Sequence, residues 1–330
     1  MITSLVTGGA GFIGSHVADD LIKLGHRVII LDDLSGGMKE NIPSKAEFIE
    51  GSITDHKMLE ALFKKYKFDY VYHFAAYAAE GLSHFIKRFN YENNLIGSIN
   101  LINESIKNKI KRFVFTSSIA VYGATRPPMV ETTTPEPEDP YAIAKFAIEQ
   151  DLKVSNDMFG LDYIIFRPHN VYGERQNIGD KYRNVIGIFM NQIMQNKQLT
   201  IFGDGKQTRA FSYIGDMSFE IANSVNIEGA KNQIFNVGAD KEYSVNNLAQ
   251  AVSKVMNSKF EIKHVEARNE VVHAWADHSK FNNILKPTKQ TSLEEGIKKM
   301  AIWARKNGVQ KTPIFKNIEL TENLPPIWLE

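Results

Sequence analysis

VTGGAGFIG, residues 6–14, decides the fold. The residues before it, 1–6, are mostly apolar with β-branched members, and read as a short buried strand. Gly8, Gly11 and Gly14 then fall three apart, where a helix should begin. Bare backbone there permits a tight turn, lets a diphosphate approach the amides, and lets the helix pack close to the sheet. The helix N-terminus carries free N–H groups and a partial positive charge, so it holds an anion without a basic side chain. The next strand, 27–31, runs into Asp32, 18 residues after Gly14. A carboxylate at that strand end accepts hydrogen bonds from an adenosine ribose 2′-OH and repels a 2′-phosphate, which selects NAD over NADP.

Outward from this turn, strand and helix alternate. The pattern predicts a helix over 14–24, a strand over 46–50, and a helix capped by Asp55 that runs to Lys65. Strands at 70–76, 112–117 and 163–166 alternate with helices at 93–107 and 140–158. Such alternation means an α/β fold with a doubly wound parallel sheet, whose ligands sit beyond the carboxyl ends of the strands. After Pro168 the pattern changes. Residues 173–187 are polar and irregular; a helix at Val185–Met194, a strand at Leu199–Phe202, a strand at 234–237 and a helix at Val245–Met256 follow. Ser292 and Glu295 predict a capping box on a last helix. The division expected is a dinucleotide-binding domain over 1–168, rejoined by a segment within 210–240, and a smaller α/β substrate-binding lobe over 169–330. The tail, 311–330, is expected on the surface.

A chain of 330 residues is long for one core, which also favours two lobes. A net charge of +1 gives no reason to expect nucleic acid or an anionic membrane as partner. The absence of cysteine excludes disulfides and thiolate zinc sites and fits a reducing compartment. With no basic-then-apolar leader and no apolar run near ~20 residues, a cytoplasmic location is expected. The nine histidines show no metal-ligand spacing, so no metal is expected. His73 reads as a core histidine, and His169 as a neighbour of the site.

Three residues carry the expected chemistry. Ser118 closes the strand over 112–117. In Asp139-Pro140-Tyr141-Ala142-Ile143-Ala144-Lys145, Asp139 is a good N-cap and Pro140 a good first helical residue. Tyr141 and Lys145 then lie one turn apart on one face. The ammonium, and a nicotinamide cation nearby, would favour the phenolate, and a phenol so tuned takes a proton from a substrate hydroxyl and returns it. Ser118 would hold the same oxygen.

The glycine triplet, Ser118 and Tyr141-x-x-x-Lys145 resemble the extended short-chain dehydrogenase/reductase family, and the dinucleotide half is then a Rossmann domain. The nearest branch is that of the UDP-glucose, UDP-N-acetylglucosamine and UDP-glucuronate 4-epimerases. His73-Phe74-Ala75-Ala76, Val121-Tyr122-Gly123, Asn170-Val171-Tyr172-Gly173 and Arg209-Ala210-Phe211-Ser212-Tyr213 are similar to that branch's landmarks. The resemblance implies a tightly bound NAD, a transient 4-keto sugar and no net redox change. It also favours a homodimer, for which the apolar face over 91–110 and the helix from Tyr141 offer surfaces that could pair as a helix bundle.

Carried over by position, Gly8, Gly11, Phe12, Ile13 and Gly14 would meet the NAD diphosphate. Asp32, with Leu34, Ser35 and Gly36, would bind the adenosine ribose, and Ser52 and Ile53 would flank the adenine. Phe74, Ala75 and Ala76 would line the wall beneath the cofactor, with Asn94 near it; Tyr141 and Lys145 would also hold the nicotinamide ribose. For the UDP-sugar, Asn170 and Asn184 would make polar contacts, Thr200 and Phe202 would border the uracil, and Arg209 and Arg268 would meet the diphosphate. Ala274 stands at the gate beside the sugar, where a small residue admits an N-acetyl group; Tyr77, Glu80 and Ser83 lie in a loop that often faces the sugar. Three positions depart from the family: Ser52 replaces a common Asp, Ala78 a Lys found in some members, and Arg268 and Glu270 are two apart rather than three. Dehydratases of this fold carry an acid pair after the Ser or Thr, and decarboxylases a Glu there. Here Ile119 and Ala120 follow Ser118, so the ketone can only be reduced again, which favours epimerisation. The alternatives are a net oxidoreductase or dehydratase acting on a nucleotide sugar, and a non-catalytic NAD-binding protein.

Overall fold

The structure, a computed structural model, describes residues 1–259, 261–267, 270–311 and 315–328. The first half runs β1 (Thr3–Thr7), α1 (Phe12–Lys23), β2 (Arg27–Asp32), β3 (Glu47–Glu50), α2 (His56–Tyr66), β4 (Tyr70–His73), α3 (Glu80–Ser83), α4 (Lys87–Tyr91), α5 (Gly97–Lys107), β5 (Arg112–Thr116), α6 (Pro140–Phe159) and β6 (Tyr163–Pro168). Then come β7 (Val171–Tyr172), α7 (Val185–Met194), β8 (Leu199–Phe202), β9 (Thr208–Ala210), β10 (Ser212–Tyr213), α8 (Ser218–Asn223) and β11 (Gln233–Val237). The chain closes with β12 (Glu242–Ser244), α9 (Val245–Met256), β13 (Ile262–Val265), β14 (His273–Ala274), α10 (Ser279–Leu285) and α11 (Leu293–Asn307).

The doubly wound sheet expected from the sequence is present: seven parallel strands in the order β11-β6-β5-β4-β1-β2-β3. Because side chains alternate along each strand, the sheet has two apolar faces. Val6, Ile30, Tyr72, Val114 and Phe166 pack with Val17 and Leu21 of α1 and Ile221 of α8. Leu5, Ile29, Val71, Phe113 and Ile165 pack with Leu59 and Leu62 of α2, Leu101 of α5 and Ile148 of α6. β11 lies beside β6, with Gln233 opposite Ile164, so the chain re-enters this sheet after leaving it.

Local signals position the helices as read. Asp55 accepts from Met58 N at 3.0 Å, Asp139 accepts from Ala142 N at 2.9 Å, and Ser292 and Glu295 form a capping box. The expected single helix over 93–107 is interrupted: Glu92–Ile96 forms a π-helical turn between α4 and α5. Asn94 in that turn is buried, and its amide is taken up by Tyr77 and Asn90. The strand expected to reach Ala76 stops at His73, because the following backbone swings under Gly8; a Cβ on Gly8 would lie 2.6 Å from Ala75 N. Most described residues of the tail lie on the surface as expected, but two of them anchor it. Leu324 and Trp328 are buried in an aromatic cluster with Leu82, Ile86 and Tyr182. No helix among the described residues is long and apolar enough to cross a membrane.

Candidate active site

Beyond the carboxyl ends of β1, β2, β4 and β5 lies a cavity of ≈480 Å³. The glycine turn forms its floor. Gly8 has φ +69°, a conformation that L side chains rarely adopt, and a Cβ on Gly14 would lie 2.2 Å from Gly8 O. Gly11 N-caps α1 with no side-chain partner, so the first-turn amides face the cavity unblocked. At the end of β2, Asp32 accepts from Ala10 N (3.0 Å) and Leu34 N (2.9 Å). Burial pushes its carboxyl upward and those amide bonds oppose the shift. A carboxylate has about four lone-pair directions, so these amides do not exhaust what it offers a ribose hydroxyl. A bare turn, unblocked amides and a braced carboxylate on one groove fit a dinucleotide.

Phe12, Ile13, Ser35, Gly36, Ser52, Ile53, Phe74, Ala75 and Ala76 also line the cavity. Two residues expected on the cofactor do not. Leu34 is absent from the lining and acts through its backbone, bracing Asp32 with φ +58°. Asn94 lies behind the wall; its Oδ1 accepts from Tyr77 N at 2.7 Å and its Nδ2 donates to Tyr77 O at 3.0 Å, while Asn93 reaches the cavity instead.

Ser118, Tyr141 and Lys145 converge on the same cavity. Ser118 N-caps a short 3₁₀ turn, Ile119–Tyr122, where its Oγ accepts from Ala120 N at 3.1 Å. Tyr141 starts α6, and its own N–H donates to Ser83 Oγ at 3.2 Å. Ser83 is therefore a support of α6 rather than a cavity residue, whereas Tyr77 and Glu80 do face the cavity. Lys145 Nζ donates to Thr116 O at 2.7 Å and lies 5.8 Å from the Tyr141 ring centroid.

The charge state differs from the sequence expectation. Burial pushes the Tyr141 phenol up and the nearby Glu80 adds to this, while hydrogen bonding with Ser118 and the Arg183 charge pull it down. Lys145 Nζ is directed at Thr116 O. Burial brings Lys145 down to about 7, with Glu149 opposing. In the protein alone the phenol is thus a firmly protonated donor.

Across the cavity stand the other predicted contacts. Asn170 (φ +41°) donates from Nδ2 to Ala210 O at 3.1 Å, and Asn184 begins α7 at φ +66°. Thr200 and Phe202 come from β8. Arg209 on β9 sits opposite Ala274 on β14, which brings the proposed cation and the proposed gate side by side. Its guanidinium donates to Thr208 O and Val272 O, both at 2.9 Å, and to Val271 O, and pairs with Glu270 at 3.7 Å. Arg268 lies outside the described residues.

Other supports were invisible to sequence spacing. Glu149, one turn beyond Lys145, is buried against Arg167 (2.9 and 2.5 Å) and accepts from Ser117 Oγ at 2.5 Å. Arg167 in turn donates to Tyr122 Oη at 2.7 Å. His73 is a core residue as read, bonded to Thr7 at 2.7 Å and Ser98 at 2.8 Å. His169 borders the cavity, but both ring nitrogens are occupied. Its Nδ1 donates to Ala210 O at 3.1 Å, so Nε2 accepts from His278 Nε2 at 2.8 Å, and His278 Nδ1 meets Asp240 Oδ1 at 2.6 Å. Burial and the neighbouring His278 bring His169 down to about 3, so it is neutral.

The sequence pattern of the NAD dependent epimerase/dehydratase family matches residues 4–238. The chain belongs to that family. Among its relatives, a putative UDP-glucose 4-epimerase from Methanocaldococcus jannaschii is 38% identical, covering 92% of this chain and 98% of its own length. A UDP-N-acetyl-alpha-D-glucosaminuronate decarboxylase from Bacillus cytotoxicus is 32% identical, with 91% and 97% covered. Among solved structures, UDP-glucose 4-epimerase from Thermotoga maritima, with UDP-glucose, superposes with a TM-score of 0.89 at 35% identity, covering 93% of this chain and 99% of that one.

Proposed function

We propose that this protein is a UDP-sugar 4-epimerase that keeps NAD bound through its cycle. The observation that carries this is the convergence of Ser118, Tyr141 and Lys145 beside the glycine turn, with Ile119 and Ala120 as the residues next to Ser118 in the cavity. The fold likeness to the Thermotoga enzyme and the identity with the Methanocaldococcus relative support it. NAD, when bound, supplies the acceptor and donor of hydride at C4. Tyr141 removes the proton of the sugar 4-OH and returns it to the 4-keto sugar's oxygen after the sugar has turned. Ser118 holds that oxygen, and Lys145 and Tyr141 hold the nicotinamide ribose. Hydrogen bonding with Ser118 and the Arg183 charge are what draw the buried Tyr141 phenol toward release of its proton. Asp32 binds the adenosine ribose and the α1 amides the cofactor diphosphate. Arg209 leads the contacts to the UDP diphosphate, Asn170 and Asn184 add to them, and Arg268 is the second cation. Neither a second acid pair for dehydration nor a Glu for decarboxylation stands at Ile119 and Ala120, so the cycle closes by reduction.

Ala274 at the gate favours entry of N-acetylhexosamines as well as plain hexoses. A homodimer is the expected assembly: Ile96 on the π turn and Ile143, Val154, Met158 and Phe159 on α6 expose large apolar side chains along the expected bundle. The lack of cysteine supports a reducing, cytoplasmic location. Incubation with UDP-glucose, UDP-N-acetylglucosamine and UDP-glucuronate, followed by separation of the products, tests both reaction and substrate. C4 epimers should form without steady gain of reduced-cofactor absorbance, and Tyr141→Phe should keep NAD while losing about 10²–10⁴-fold in turnover. Steady accumulation of NADH, or unchanged turnover in Tyr141→Phe, would defeat the assignment.

A further inference from the structure

The wall opposite the glycine turn carries a cation that the sequence reading passed over. Arg183 lies between β7 and α7, in the irregular segment over 173–187, and its side chain is 19% exposed. Its Nε donates to Asp180 Oδ2 at 2.6 Å, and the guanidinium lies 5.2 Å from the Tyr77 ring centroid. Asp180 is itself fixed, because its Oδ1 accepts from Tyr182 N at 2.9 Å. The Nη end is aimed across the cavity: a Cβ on Gly36 would lie 3.3 Å from Nη2. No described residue takes a hydrogen bond from either Nη. At its other side the charge is felt by Tyr141.

Gly36 belongs to the adenosine-ribose turn after Asp32, and Tyr141 to the nicotinamide-ribose end. In a bound dinucleotide the interval between two riboses is filled by the diphosphate. We propose that Arg183 is a cofactor-binding residue whose Nη fork closes over the NAD diphosphate from the side opposite the α1 amides. This rests on the NAD reading above. Asp180 occupies the Nε edge, Tyr77 supports the plane, and the free fork suits two phosphate oxygens. The diphosphate is then gripped from both walls of the cleft.

The test titrates cofactor-stripped wild type and Arg183→Gln with NAD, ADP-ribose and, separately, UDP. NAD and ADP-ribose should bind about 10–100-fold more weakly to the variant, the loss of one or two charge-assisted hydrogen bonds. UDP affinity should stay the same. In the wild type, ADP-ribose should also protect Arg183 from phenylglyoxal, read by mass spectrometry, so the answer does not depend on the variant folding. Unchanged NAD affinity, a loss confined to UDP, or unprotected Arg183 would overturn the proposal. A wild type that bound no NAD at all would overturn the cofactor reading itself, and the proposal with it.

Discussion

Lys145 is buried where water cannot solvate its charge, and one hydrogen bond to Thr116 O does not replace that solvation. Its pKa of about 7 in the folded protein lies below 10.5, the ordinary lysine value. Between those two values the unfolded chain holds a proton that the folded one has released, so this group makes the protein more stable as pH rises through that window. Below about 7 both states are protonated and the full cost of burial remains. Denaturation of cofactor-free wild type and Lys145→Met at pH 7 to 10 should show wild type gaining on the variant, by at most about 1.4 kcal/mol per pH unit. Parallel profiles would contradict the assigned charge state. The residues legible in the sequence were those whose meaning is local: the glycines, Asp32, and the Tyr-Lys pair one turn apart. Glu149 with Arg167 and His169 with His278 were not, because their partners are brought together only by the fold. Arg183 was hidden in the same way, by its distance in sequence from Gly36.

At the scale of elements, caps were readable because a cap is a few residues long: Asp55, Asp139 and Ser292 each act where expected. The π turn over Glu92–Ile96 was not, since nothing in a helical apolar pattern marks one extra residue in a turn. That turn presents Asn94 to Tyr77, and through Tyr77 it shapes the cavity wall on which Arg183 rests. Asn94→Ala would leave the Tyr77 amide and carbonyl and the Asn90 side chain short of partners in a buried place. The expected loss is about 1–3 kcal/mol, read as a lower urea midpoint with unchanged slope. A loss under about 0.5 kcal/mol would show that water or a shifted Tyr77 replaces the amide.

For the whole molecule, the parallel sheet was legible because strands buried on both faces read as apolar runs between helical periods. The anchoring of the tail was not, since its few aromatics carry no period. Phe315 packs against both Tyr77 and Phe89, Trp328 against Tyr182, and Glu319 accepts from Arg88 N and Phe89 N at 2.9 Å. The tail thus ties the segment bearing Tyr77 to the one bearing Arg183 over a single cleft. A cleft gripped in this way should hold the oxidised sugar until hydride returns to it. The most direct test is to convert UDP-glucose deuterated at C4 and examine the epimer by mass spectrometry. Retention of the deuterium at C4, with no net reduced cofactor, is the result expected. Loss of the label to added cofactor or to water would contradict the account.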